Sequence, residues 1–150
     1  MDLPDHILQR FRRLGQIGGR RRAAALSSQR RTAIARRAAA TRWIRQRFGS
    51  ATFQELGLPG SEIIDAGLAD LADGRETAES LAVSLAAPRL RREGLPIGAV
   101  QTDPERRLYQ ALSRENGELA HARYNAYLRR VVSFADACRL VRIDRGSRAR

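Results

Sequence analysis

The sequence predicts an all-α protein, and three observations support this prediction. Alanine and arginine, which both favour helix, supply 24 and 28 of the 150 residues. Leucine, isoleucine and valine recur at intervals of three and four residues in several segments, which is the spacing of one helix face. No segment shows sustained alternation between apolar and polar residues, so nothing indicates a sheet. We expect a small helical bundle of four or five helices with a basic N-terminal helical arm.

Residues 1–49 are predicted to form this basic arm, which we expect to contain two helices. Apolar residues between positions 7 and 14 share one face of a short first helix, and the glycines at positions 15–19 should break it. A second helix is predicted from Ser28, a good N-cap, to the residue before Gly49, a good stop. Arginines fall on every side of this second helix, so we expect it to bury little surface.

Residues 50–143 are predicted to form a compact helical domain. Ser61 can cap its first helix, Thr77 can cap the next, and Asp103 followed by proline is a strong opening for a third. A last helix is expected from about residue 118 to residue 141, because its apolar residues keep helical spacing over that whole length. The domain boundaries therefore follow from caps and periodicity together.

The core of this domain is expected to be small, because leucine, isoleucine, valine and phenylalanine total only 34 residues. Such a core is marginal for a chain of this length, so a partner or a second copy would help to complete it. Cys138 lies on the apolar stripe of the last helix, which predicts a buried and unreactive thiol. Residues 144–150 are expected to form a frayed tail. The predicted core residues are Ile64, Leu68, Leu71, Leu81, Leu85, Leu108, Leu112, Leu128, Val131 and Val132.

The formal net charge of +12 is distributed unevenly along the chain. Residues 1–48 carry a net charge of +11, residues 49–88 carry −6, and residues 89–150 carry +7. Every basic residue is an arginine, which excludes phosphate-binding loops and Schiff-base chemistry that need a lysine. The charge pattern instead predicts that the arm binds a polyanion.

Ten arginines lie between positions 20 and 47, and Trp43 lies among them. Arginine binds phosphate through a planar, two-pronged donor, and an aromatic ring can stack on a base. We therefore expect the arm to bind nucleic acid, with DNA favoured over RNA. Phosphate contacts carry no sequence information directly, so the pattern does not predict a recognised sequence. The predicted nucleic-acid-binding residues are Arg20, Arg21, Arg22, Arg30, Arg31, Arg36, Arg37, Arg42, Trp43, Arg45 and Arg47.

Other candidate sites are weaker. The acidic residues between positions 62 and 79 are predicted to form an exposed acidic face, which a partner could contact, rather than a metal site. One cysteine and two histidines leave few metal ligands, so we expect no metal and no cofactor. Arg114 and His121 have the spacing found in a class of small all-helical ribonucleases. A glycine between them and the acidic Glu115 depart from that pattern.

Two segments carry resemblances. Residues 18–43 contain Gly-Gly, a run of arginine and alanine, Leu-Ser, and then Ile-Ala-Arg-x-Ala-Ala before Arg-Trp. This resembles a short basic motif of many small bacterial and plasmid proteins. Residues 58–95 resemble small bacterial proteins of toxin–antitoxin-type gene pairs, notably those beside nucleotidyltransferase-like toxins. The second resemblance implies an antitoxin-like or regulatory partner protein, and it brings no catalytic residue with it.

We therefore expect a non-enzymatic, antitoxin-like regulatory protein that binds nucleic acid through the basic arm and a protein partner through the helical domain. The partner could be a toxin, and a homodimer is compatible with the sequence. One alternative is an adaptor that binds protein only, and another is a ribonuclease that uses Arg114 and His121. The single cysteine and the missing signal-like and membrane-spanning stretches predict a cytoplasmic protein that does not enter a membrane.

Overall fold

The fold, seen in a computed structural model, is all-α, as predicted. The structure describes the backbone of residues 4–148 and the side chains of residues 4–141, and no strand occurs in that part of the chain. One short 3-10 turn, Gly117–Leu119, precedes the last helix. The helices are α1 (Asp5–Ala25), α2 (Ser28–Phe48), α3 (Ser61–Asp73), α4 (Ala78–Arg92), α5 (Pro104–Asn116) and α6 (Ala120–Arg148).

Several helix ends follow the predicted chemistry. Gly49 adopts the left-handed conformation and ends α2, and its N–H donates to the carbonyl of Arg45. Thr77 caps α4 in a reciprocal arrangement with Ser80, in which each side chain accepts from the other residue's backbone N–H. The cap of α2 is Ser27 rather than Ser28, because the Ser27 hydroxyl accepts from the N–H three residues later. Local capping chemistry therefore fixes these boundaries to within one residue.

The predicted break at the glycines of residues 15–19 is wrong, because α1 continues through them to Ala25. A glycine inside an exposed helix costs only about 1 kcal/mol relative to alanine, and the surrounding arginines and alanines favour helix. The predicted frayed tail also begins as helix, since α6 extends to Arg148. Residues 149–150 lie outside the described residues.

Helix α4 lies at the centre of the molecule, where it packs against α3, α5 and α6. Five of the ten predicted core residues are buried, four are half-buried, and Val132 is wrong because it is 40% exposed. The prediction missed Phe53 and Phe134, which are both completely buried. The core is thus built around aromatic rings as well as around aliphatic side chains.

Four aromatic rings form a continuous row from α2 into α6. Trp43 contacts Phe48, Phe48 contacts Phe53, and Phe53 contacts Phe134, with ring centroids 5.7, 5.6 and 4.8 Å apart. All three pairs meet edge to face, which is the arrangement that the ring quadrupole favours. We call this set the aromatic row. It joins the end of α2 to the centre of the core.

Helix α2 therefore belongs partly to the core, contrary to the expectation that it buries little surface. Ala33, Ile44 and Phe48 are buried, and the helix packs on α3. Its inward stripe uses small residues at positions 33 and 40, which is why the arginine-rich sequence concealed it. The division of the chain at residues 49 and 50 stays a prediction, but the last turns of α2 pack with the helical domain.

Helix α1 has no buried residue, and it packs on no other described helix over an extended surface. Its tie to α2 is the side chain of Arg31, whose Nη1 donates to the carbonyls of Ala23 at 2.7 Å and Leu26 at 3.3 Å. At about 1.5 Å per residue, α1 is about 31 Å long. It therefore projects from the body as a long exposed helix.

We expect Gly67→Ala to destabilise the fold by about 1–3 kcal/mol, because there is no room for a side chain there. A Cβ at Gly67 would lie 2.5 Å from both the backbone oxygen of Glu79 and Cγ2 of Val83, where α3 meets α4. Gly15→Ala in α1 is the matched control, because no atom lies within 4 Å of its Cβ position. Urea unfolding followed by Trp43 fluorescence measures both variants. Equal stability of the two variants would contradict the close packing at Gly67.

Candidate nucleic-acid interface

Most arginines of the basic arm are exposed and lack a carboxylate partner. Three of them, Arg20–Arg22, lie in the last turns of α1, where every residue is exposed. Arg30, Arg36 and Arg42 of α2 are also exposed, and none of these six forms an ion pair with any residue described. These six guanidinium groups therefore face solvent at intervals along two helices.

Three other predicted arginines have interactions within the chain. Arg37 forms an ion pair with Asp73 of α3, which fastens the middle of α2 to the body. Arg31 binds the carbonyls at the end of α1. The guanidinium of Arg47 lies over the ring of Trp43, 6.0 Å from its centroid. These three side chains hold the arm in place, so their role in binding a ligand is secondary.

Arg42 and Arg45 share the outer face of α2 with Gln46, on the side away from α3. A hydrogen bond from the Ser50 hydroxyl is the main cause of a lowered pKa of Glu55, and the positive charge of Arg45 makes a small further contribution. Glu55 is occupied by Ser50 and by the N–H of Ala51. Arg42 and Arg45 are exposed, and they lie in the half of α2 that contains the buried Ile44 and Phe48.

Trp43 was predicted as a ring that stacks on bases, but much of its surface is used by the protein. It is half-buried, contacts Phe48 in the aromatic row, and lies beside Gly94. The guanidinium of Arg47 also lies over the Trp43 ring. Trp43 therefore positions α2 on the core, and the exposed aromatic ring of the arm is instead Phe11 of α1, which is 62% exposed.

The predicted acidic face is not a free surface, because its carboxylates are bonded within the chain. Asp70 accepts from Arg75 Nε at 3.0 Å, from Arg75 Nη2 at 2.5 Å and from the Thr77 hydroxyl at 2.7 Å. Asp65 accepts from the backbone N–H groups of Phe53 and Gln54. Burial raises the pKa of Asp65, and those two hydrogen bonds oppose the shift. Both residues hold loops against α3.

The remaining acids of this segment have long-range partners. Glu62 pairs with Arg130, and Glu76 pairs with Arg107. Glu79 accepts from the hydroxyl of Tyr127, whose pKa is raised to about 12 by burial and by this carboxylate. No group of three or more metal-ligating side chains occurs in the described chain. The acidic segment thus neutralises arginines of the body, and the sequence missed this because the partners lie 31 to 68 positions away.

Arg114 and His121 do not form a shared site. His121 lines a shallow surface cavity with Glu105, Arg106, Tyr109 and Tyr124, and Arg114 is not part of it. Tyr124 donates weakly to Glu105 at 3.4 Å, and its ring contacts Tyr109 edge to face. This arrangement is an interhelical contact between α5 and α6, so the structure gives the ribonuclease alternative no support.

Cys138 is buried among the core residues, as the sequence predicted. Desolvation raises the pKa of its thiol to about 12. At neutral pH nearly all of this thiol is protonated, and the protonated form is a poor nucleophile. Cys138 therefore acts as an apolar side chain of α6.

Comparisons with known proteins give no relative for this chain. No protein-family model, no curated protein and no solved structure matches it. Among the described helices, none is long and apolar enough to cross a membrane.

We expect Asp70→Ala to cost about 1–3 kcal/mol of stability, because it removes a buried carboxylate that accepts from Arg75 and leaves the half-buried hydroxyl of Thr77 without its acceptor. Asp136→Ala is the matched control. Its pair with Arg89 at 2.7 Å is exposed on both sides, so its loss should cost less than about 1 kcal/mol. Chemical unfolding measures both. Equal costs would show that the Asp70 contacts do not brace the loop after α3.

We expect the thiol of Cys138 to be protected in the native protein. With a pKa of about 12, its thiolate fraction at pH 8 is about one in ten thousand, and the side chain is covered. A disulfide-exchange reagent should therefore label the native chain at least a hundredfold more slowly than the chain unfolded in guanidinium. Similar labelling rates in the two states would place Cys138 at the surface.

Proposed function

We propose that this protein is a non-enzymatic regulatory protein, antitoxin-like in organisation, that binds nucleic acid through its basic arm. The observation that carries this proposal is the set of exposed arginines on α1 and α2 that no carboxylate of the described chain neutralises. Residues 5–48 contain thirteen arginines and one acidic residue. A polyphosphate backbone is the partner whose charge density matches such a surface.

The geometry of the arm suits a duplex better than a small anion. Arg20–Arg22 lie at the C-terminal end of α1, and Arg42 lies in the second turn from the end of α2, so the cations are distributed over about 20 Å or more. A small anion would use only one or two of them. DNA phosphates recur along the whole of such a surface, which favours DNA as the first target to test.

A protein partner for the helical domain is the second part of the proposal. Val132 and Leu140 of α6 lie about two helical turns apart, and they are 40% and 67% exposed. Large apolar side chains exposed in a row are typical of a surface that a partner covers. Leu119, which is 63% exposed, lies just before the same helix.

The test compares two variants that have the same net charge but lose positive charge at different places. One variant carries Arg→Gln at Arg20, Arg22, Arg30 and Arg42 of the basic arm. The matched variant carries Arg→Gln at Arg114, Arg123, Arg129 and Arg139, which are exposed and form no ion pair among the residues described. Fluorescence anisotropy with a labelled DNA duplex and with an RNA of the same sequence measures affinity at several salt concentrations.

We expect the intact protein to show a log–log salt slope of about −5, as contact with five or six phosphates requires. The arm variant should reduce this slope by about 3 and weaken binding at least tenfold, whereas the matched variant should change neither by more than threefold. Equal losses in both variants would mean that net charge alone, rather than the arm, attracts the nucleic acid. Substitution is preferable to removal of residues 1–48, since removal would take Ile44 and Phe48 from the core.

An adaptor that binds only protein is the competing function, and the apolar face of α1 favours it. Phe11 and Leu14 are 62% and 57% exposed, although a purely phosphate-binding helix has no need of them. Such an adaptor would show no salt-dependent binding to either nucleic acid. The same anisotropy titration therefore separates the two functions.

A further inference from the structure

A cleft of about 350 Å³ lies between α2, α3 and the loop of residues 95–100. Ala39 and Ala40 of α2 lie along one wall, and Ala69 and Ala72 of α3 lie along the other. Because small side chains line both helices here, none of the described side chains fills the space between them. The volume falls at the lower end of the range of about 300–1,000 Å³ that small-molecule sites occupy.

The interior of the cleft is apolar. Ile44, Leu68, Leu71 and Ile97 line it, and only a few polar side chains reach its edge. An apolar lining of this kind favours a ligand whose body is hydrocarbon. Burial of apolar surface, which contributes about 25 cal/mol per Å², then drives binding. The hydrocarbon body of the ligand follows from this lining.

The charge at the edge of the cleft is positive. Asp65 already accepts from two backbone N–H groups, and Arg37 is already paired with Asp73. Arg36 is exposed, forms no ion pair with any described residue, and also lines the neighbouring cavity beside Ser28 and Gln29. The unpaired charge on the lining is therefore a guanidinium, which prefers a carboxylate or a sulfonate.

We propose that this cleft binds a small amphipathic anion, in which an apolar body occupies the space between α2 and α3 and a carboxylate meets Arg36. Medium-chain fatty acids have this chemistry. The proposal goes beyond nucleic-acid binding and does not depend on it. Arg36 belongs to both surfaces, but the apolar walls of the cleft do not include Arg42 or Arg45.

The test is calorimetric titration of the full-length protein with decanoate below its micellar concentration, and with decanol as the uncharged analogue. We expect saturable binding of decanoate with one site per chain, and binding of decanol at least tenfold weaker. Arg36→Gln should weaken decanoate at least tenfold and leave decanol unchanged, since it removes only the charge-assisted contact. Arg129→Gln, which removes an exposed arginine of α6, is the matched control and should leave both affinities unchanged.

A second variant locates the apolar part of the ligand. Ala72→Leu adds volume to the wall of the cleft and should weaken both ligands at least tenfold. A circular dichroism melt confirms that this variant folds, and Arg36→Gln tests the site even if it does not. Phe11→Ser on α1 should leave decanoate binding unchanged. Absence of saturable binding, loss of binding in Phe11→Ser, or equal affinity for decanoate and decanol would each overturn the proposal.

Discussion

The contact between the aromatic row and the buried stripe of α6 is the constraint on which the rest of the structure depends. Phe53 belongs to no helix, yet it is completely buried between Phe48 and Phe134. This one ring fixes the end of α2, the loop that leads to α3 and the middle of α6 relative to one another. Without it, an arginine-rich helix would bury little surface against the body, because the first part of its inward stripe is formed by the small residues Ala33 and Ala40.

Hydrogen bonds and ion pairs of the acidic segment also connect distant parts of the chain. The acids between positions 62 and 79 are each bonded to a group elsewhere in the chain, and four of those partners are arginines. Such exposed pairs add little stability individually. Their larger effect is on the distribution of charge, because residues 49–150 contain fifteen arginines and fourteen acids whereas residues 1–48 contain thirteen arginines and two acids. The excess of positive charge is therefore concentrated at one end of the molecule.

The sequence predicted the helices better than it predicted their packing. Caps such as Thr77 and Gly49 act through hydrogen bonds within one turn, so they can be identified from the residues next to them in the sequence. On α6 the stripe of positions 131, 134, 135 and 138 is buried. The prediction wrongly included Val132, which lies about 100° from that stripe, and it omitted Phe134. The burial of Phe53 could not be predicted by periodicity, since this residue lies in a loop.

The candidate site shows the same division between local and distant effects. The exposure of the arginines of α1 could be predicted from the sequence, because an arginine without an acidic partner is rarely buried. The ion pair between Arg37 and Asp73, which are 36 positions apart, could not be predicted from composition. Nor could composition show that the ring of Trp43 is used by Phe48 and Arg47. Long-range partners depend on the tertiary fold, and the tertiary fold depends on the whole sequence rather than on any one segment.

The separation of charge also governs how the molecule meets other molecules in solution. A body whose charges are largely offset and a projecting cationic helix together form a strong electric dipole. In the field of a polyanion, such a dipole rotates so that α1 leads, which raises the rate of productive encounters and makes it fall steeply as ions are added. Because the cations of the arm are almost all guanidinium groups, its positive charge persists from acidic to strongly basic pH.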